Sequence, residues 1–157
     1  MPITDEDRKW MRLALRQAER ALEYKDVPIG AIAVHQGAVI GRGYNRREAD
    51  SDPTAHAEMI ALREAAAALG RWRLDGVTLY CTLEPCAMCA GAMVLARLPR
   101  LVYAATDPKA GAAGSVVDLT RHHRLNHRLH VEGGLYAQEA AELIREFFQN
   151  LRGRTEA

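Results

Sequence analysis

Two thiols three residues apart can supply half of a metal ion's ligands, form a redox pair, or pack as small apolar side chains. In this chain they are Cys86 and Cys89, within the run TLEPCAMCAGAM at 82–93. Pro85 stands directly before them, and proline favours the first position of a helix. Residues i and i+3 of a helix share a face, so the two sulfurs can converge. Unpaired amides and the helix dipole at that end favour thiolate, the form that binds metal. Zinc takes four ligands, so two thiolates require at least one more from elsewhere in the protein.

The chain has six histidines: His35, His56, His122, His123, His127 and His130. His56 alone begins a predicted helix behind its own proline, in DPTAHAEM. Two helix N-termini can meet at one edge of an α/β sheet. His56, Cys86 and Cys89 would then leave a fourth position open for water, which is the catalytic pattern of zinc and not the closed structural one. Glu58, two residues beyond His56, can reach such a water without ligating the metal and carry its proton to a leaving group. A redox dithiol would have no use for His56 and Glu58 and lacks its usual βαβ context. Cys81 falls in an apolar strand pattern and reads as core.

The elements that must position these groups follow from periodicity. Thr4 and Asp7 form a capping-box pattern ahead of a helix over about 4–24, with Met11, Ala14, Ala18, Ala21 and Leu22 at helical spacing. Strands 29–35 and 38–44 flank Gln36-Gly37 and predict a hairpin. After the polar loop NRREADSD, Asp52 is the expected cap of a helix from Pro53 to about Gly70. A strand at 77–83 precedes the helix from Pro85 to about Arg97. Strands at 100–106 and 129–134 and a closing helix, AQEAAELIREFFQNLR, complete the chain. Strands alternate with helices after the hairpin, so the class is an α/β layered domain with a mixed sheet.

Length and composition set bounds. At 157 residues the chain predicts one domain over 1–157, with about 153–157 a flexible tail. It is 48% hydrophobic and 26% charged, an ordinary globular balance. A net charge of +1 argues neither for nor against nucleic acid. Three cysteines cannot all pair, and MPITDEDRKW lacks the apolar core of a secretory signal. The run AGAMVLA is far short of the roughly 20 residues of a membrane span. A reduced, cytoplasmic protein without a membrane segment is expected.

The combination H-x-E with P-C-x-x-C is a recognised pattern of zinc nucleobase deaminases. HAE at 56–58 and PCAMC at 85–89 match it in full. With DPTAHAEMIALREA, TLEPCAMCAGAM, TDPKAGAAGSVVD and NHR at 126–128, the chain closely resembles bacterial tRNA-specific adenosine deaminases over nearly its whole length. The short motif is shared with cytosine, guanine and deoxycytidylate deaminases. The resemblance implies a cytidine-deaminase-like three-layer α/β/α sandwich with a central five-stranded mixed sheet, in a homodimer. It implies one zinc per chain on His56, Cys86 and Cys89, with Glu58 as proton shuttle. The reaction would convert adenosine to inosine at the wobble position of a tRNA anticodon loop.

The same resemblance assigns Asn45 to the flipped base, and Asp107 and Lys109 to an RNA-binding loop. On residue type alone, Asn45 and TDPK read as turns. Phe147 and Phe148 are adjacent on a helix and so diverge by about 100°. One should pack, and the other can stack on an unpaired base, with Phe148 favoured by the resemblance. Arg46, Arg47, Arg145 and Arg152 are candidates for phosphate or for solvation. The run RHHRLNHR at 121–128 reads as a solvated loop with partial RNA contact, because arginines among the histidines repel a cation. Thr106 stands where some members carry arginine. Two other functions fit the residues: deamination of a free base or nucleotide such as guanine or cytosine, and a zinc-stabilised RNA-binding module without catalysis.

Overall fold

The computed structural model describes residues 2–156. Helix α1 (Asp5–Ala21) is opened by the expected capping box: the Asp7 N–H donates to the Thr4 hydroxyl and the Thr4 N–H donates to the Asp7 carboxylate. It ends before the expected limit, because Leu22–Tyr24 tighten into a 3-10 turn and Lys25 adopts a left-handed φ of 59°. The hairpin forms between β1 (Gly30–His35) and β2 (Ala38–Tyr44). Gln36 and Gly37 both take positive φ, the geometry of a tight two-residue connection.

Two helix starts differ from the sequence expectation. Helix α2 spans Ala57–Leu69 and not 53–70; His56 is its N-cap and residues 53–55 are a turn. Asp52 caps no helix, because its carboxylate takes the Thr54 N–H and hydroxyl in a local turn. After β3 (Val77–Leu83), helix α3 spans Ala87–Leu95, with Cys86 as N-cap in extended backbone. It stops short of Arg97, whose φ of 59° breaks the helical path. Strands β4 (Arg100–Ala105) and β5 (His130–Gly133) and helix α4 (Ala137–Glu156) follow. Ala157, at the end of the expected tail, lies outside the described residues.

The sheet order is β2-β1-β3-β4-β5, antiparallel across β2-β1-β3 and parallel across β3-β4-β5. Strand residues alternate between two cores. Ala31, Ala33, Leu79, Cys81 and Leu101 meet α2 and α3 on one face. Ile32, Val34, Tyr80, Val102 and Ala104 meet Trp10, Met11 and Ala14 of α1 and Ala140 of α4 on the other. The protein is thus the three-layer α/β/α sandwich with a mixed five-stranded sheet, and Cys81 is core as expected.

Small residues bring helix and sheet unusually close. Gly41 and Gly43 of β2 lie against the Ala57–Ala61–Ala65 stripe of α2, and Gly30 against Ala14 and Ala18 of α1. On the α1 face the buried Asp7 carboxylate accepts from the Tyr80 hydroxyl at 2.6 Å and from Arg100 at 2.8 and 3.0 Å, joining α1 to β3 and β4. Among the described residues, no helix is long and apolar enough to cross a membrane.

Candidate active site

The pairing directions put the C-terminal ends of β2, β3 and β4, and the approach to β1, at one sheet edge. Crevices at the carboxyl ends of strands are where α/β sheets hold ligands. Asn45, Glu84 and Asp107 each leave a strand there, and α2 and α3 start there.

His56 and Cys86 are both N-cap residues, and neither side chain caps its own helix. Instead they turn toward each other. His56 Nδ1 lies 3.6 Å from Cys86 Sγ and 3.6 Å from Cys89 Sγ. The three ligand atoms all fall within 4.8 Å of one another. A tetrahedral ion with sulfur at about 2.3 Å and nitrogen at about 2.0–2.1 Å separates N from S by roughly 3.6 Å. The donor set and its spacing therefore fit zinc.

The electrostatics suit a cation. Cys86 is lowered to about 3, first by the hydrogen bond from Cys89 and then, against the opposing effect of burial, by His56. Cys89 is raised because its thiol proton is shared with Cys86 and because it is buried. His56 is raised chiefly by its contact with Cys86. One proton held between two sulfurs is what a divalent ion displaces on binding. Glu58, in the first turn of α2, is buried, and burial pushes it up to about 7. A carboxyl with a pKa near neutrality can both take and give a proton at working pH.

His56, Glu58 and Cys86 border a cavity of about 210 Å³, walled by Val27, Ile29 and Leu83 and edged by Asn45, Arg47 and Asp107. It shares Val27, Arg47, Leu83 and Asp107 with an outer groove of about 710 Å³ that also reaches Lys109, Arg145 and Phe148. Asn45 is buried, donates to the Val27 carbonyl at 3.2 Å and accepts from the Arg47 N–H at 3.1 Å. It is thus both a turn residue and part of the cavity wall. Asp107 Oδ1 accepts from the Lys109 and Ala110 N–H groups, fixing the turn whose rim Lys109 occupies.

Other candidates fall elsewhere. Arg46 pairs with Asp50 and stacks over Tyr24 and Tyr44. Phe147 faces a separate hollow beside Leu22 and Leu143. Arg145 borders the groove while paired with Glu142. In the histidine-rich run, His127 Nε2 bonds the Leu98 carbonyl at 2.7 Å and the His122 and His123 rings stack on each other. None of these three lines the cavity or the groove.

Two buried carboxylates escaped the sequence reading. Asp26 accepts from the Glu48 and Ala49 N–H groups and anchors the loop after Asn45. Glu84 anchors the loop after β4. For Glu84 the signal was a charged residue inside an otherwise apolar strand-to-helix junction, TLEPC.

A His/Cys/Cys cluster on two helix N-caps, a buried glutamate beside it and this sandwich together define a deaminase of the cytidine-deaminase-like class. The family profile of the MafB19-like deaminases matches residues 5–152. The tRNA-specific adenosine deaminase of Bacillus subtilis (strain 168) is 44% identical, over 97% of this chain and 94% of its own. A solved structure from work on A-to-I editing by tRNA:A34 deaminases at the wobble position superposes with a TM-score of 0.83 at 47% identity, covering 86% of this chain and 98% of the other. The guanine deaminase of Bacillus subtilis, at 38% identity and a TM-score of 0.61, covers 66% of each chain. The chain belongs to the tRNA-specific adenosine deaminase family.

Proposed function

We propose that this protein hydrolytically deaminates adenosine to inosine at the wobble position of a tRNA anticodon loop. The single observation that carries the choice of substrate is 44% identity to a tRNA-specific adenosine deaminase along 97% of the chain. The groove supports it, because a free base would need no 710 Å³ extension bordered by Arg47, Lys109 and Phe148. An aromatic ring beside cations suits an unpaired, stacked strand.

In this reading His56, Cys86 and Cys89 hold one zinc per chain. Zinc held there would supply Lewis acidity and would lower the pKa of water to about 7. Glu58 takes the proton the attacking water loses. It returns that proton to adenine N1 and then carries the second proton, from the hydroxyl added at C6, to the amine as the C6–N bond breaks, so adenosine and water become inosine and ammonia. Val27, Ile29 and Leu83 exclude bulk water, and Asn45 orients the base. Asp107 and Lys109 border the flanking nucleotides, and Phe148 stacks on one of them. An anticodon loop base is already partly unstacked, which lowers the cost of extruding it. The working form is a cytoplasmic homodimer.

Ammonia release decides between substrates. The expected result is release from an adenosine-containing anticodon stem-loop and none from guanine, cytosine or free adenosine. Release from the free bases alone would overturn the proposal.

A further inference from the structure

We propose that Glu84 is a positioning residue that pins the loop 106–115 against the end of β3 and so sets how RNA docks, without entering the chemical step. This rests on the deamination reading above.

Glu84 borders the cavity and is 1% exposed, so at first sight it is a second acid. Its hydrogen bonds exclude that role. Oε1 accepts from the Asp107 N–H at 3.0 Å and from the Ser115 hydroxyl. Oε2 accepts from the Ala113 and Ser115 N–H groups, each at 3.0 Å. A carboxylate has about four acceptor sites, and here one loop fills them all. None is left for a substrate proton.

The loop is built around this carboxylate. Most of residues 106–117 are exposed, and they form no regular strand or helix. Gly111 packs directly on the Glu84 carboxyl group, and a Cβ there would overlap its carbon and both oxygens. The Ala112 N–H donates to the Pro85 carbonyl at 2.8 Å, one residue before Cys86. Asp107 and Ala110 of this loop wall the cavity, and Asp107 and Lys109 border the groove. Glu84 therefore couples the segment carrying a metal ligand to the rim that meets substrate. A glutamine at this site offers one acceptor oxygen and turns an NH₂ toward N–H donors, which unseats the loop while preserving volume.

The test compares full-length wild type with Glu84→Gln and Gly111→Ala, which displaces the carboxylate but keeps its charge. Amide hydrogen exchange at residues 107, 113 and 115 is expected to rise about tenfold in both variants, the scale of one lost charge-assisted hydrogen bond. KM for the stem-loop should rise about tenfold while kcat stays within about threefold, with zinc per chain unchanged. Gly111→Ala carries the test if the glutamine variant fails to fold. Unchanged exchange, unchanged KM, or a fall in kcat at constant KM would each overturn the proposal. A wild type that binds the stem-loop without deaminating it would defeat the functional reading instead, and the exchange data with stem-loop affinity would still decide the role of Glu84.

Discussion

Gly43 of β2 lies directly beneath Ala57, the first residue of α2, with His56 and Glu58 on either side of that contact point. A Cβ at Gly43 would overlap the Ala57 carbonyl oxygen and stand 3.0 Å from its carbonyl carbon and 3.1 Å from the Ala61 nitrogen. Ordinary carbon contacts fall at about 3.5–4.0 Å, so in Gly43→Ala the helix must withdraw by roughly 1 Å. Gly43 has no positive φ, so the effect is one of space and not of backbone strain. Overpacking of this size costs about 1–3 kcal/mol of stability. The functional cost should be larger, because a shift of about 1 Å in a catalytic group can lower the rate roughly a hundredfold. Urea unfolding midpoints and stem-loop deamination rates read the two effects separately. A variant that deaminates within twofold of wild type and unfolds at the same midpoint would refute the claim that this contact sets the position of α2.

Two further outcomes are expected. Asp7→Asn breaks a buried pair with Arg100 and should cost about 3 kcal/mol by chemical denaturation at neutral pH. Burial would raise the Asp7 carboxyl, but bonds from Arg100, Tyr80 and Thr4 outweigh it and hold it well below its ordinary 3.8. A depressed carboxylate stabilises above its unfolded pKa and loses that contribution as pH falls below it. Wild-type stability should therefore drop below about pH 4 more steeply than that of Asp7→Asn, and equal slopes would count against the network. Phe148→Ala should raise KM for the stem-loop by about tenfold with kcat little changed, the scale of one lost base–aromatic stack. Phe147→Ala, outside the groove but with its ring 5.3 Å from that of Phe148 in an edge contact, should raise KM by less than Phe148→Ala does.

The grouping of His56, Cys86 and Cys89 with Glu58 was legible because its members sit in two short linear patterns that together match a recognised deaminase signature. Its local geometry was less so. Proline after aspartate suggested a helix from 53, yet the Asp52 side chain closes a turn on Thr54 and delays the helix to Ala57. That delay makes His56 an N-cap, free to face Cys86. The strands were readable as short apolar runs, and the hairpin from Gln36-Gly37 between two of them. Glu84 and Asp26 were not, because their partners lie more than 20 residues away and are backbone amides, which residue type does not reveal. The choice between Phe147 and Phe148 likewise depends on how α4 is rotated against the sheet.

Mass spectrometry of a tRNA anticodon loop, after incubation with protein of measured zinc content, tests the central claim most directly. The wild type and Glu58→Ala should each carry one zinc per chain. The wild type should convert the wobble adenosine to inosine, and Glu58→Ala should leave it unchanged. No inosine from the zinc-loaded wild type, or conversion by Glu58→Ala at the wild-type rate, would contradict the account.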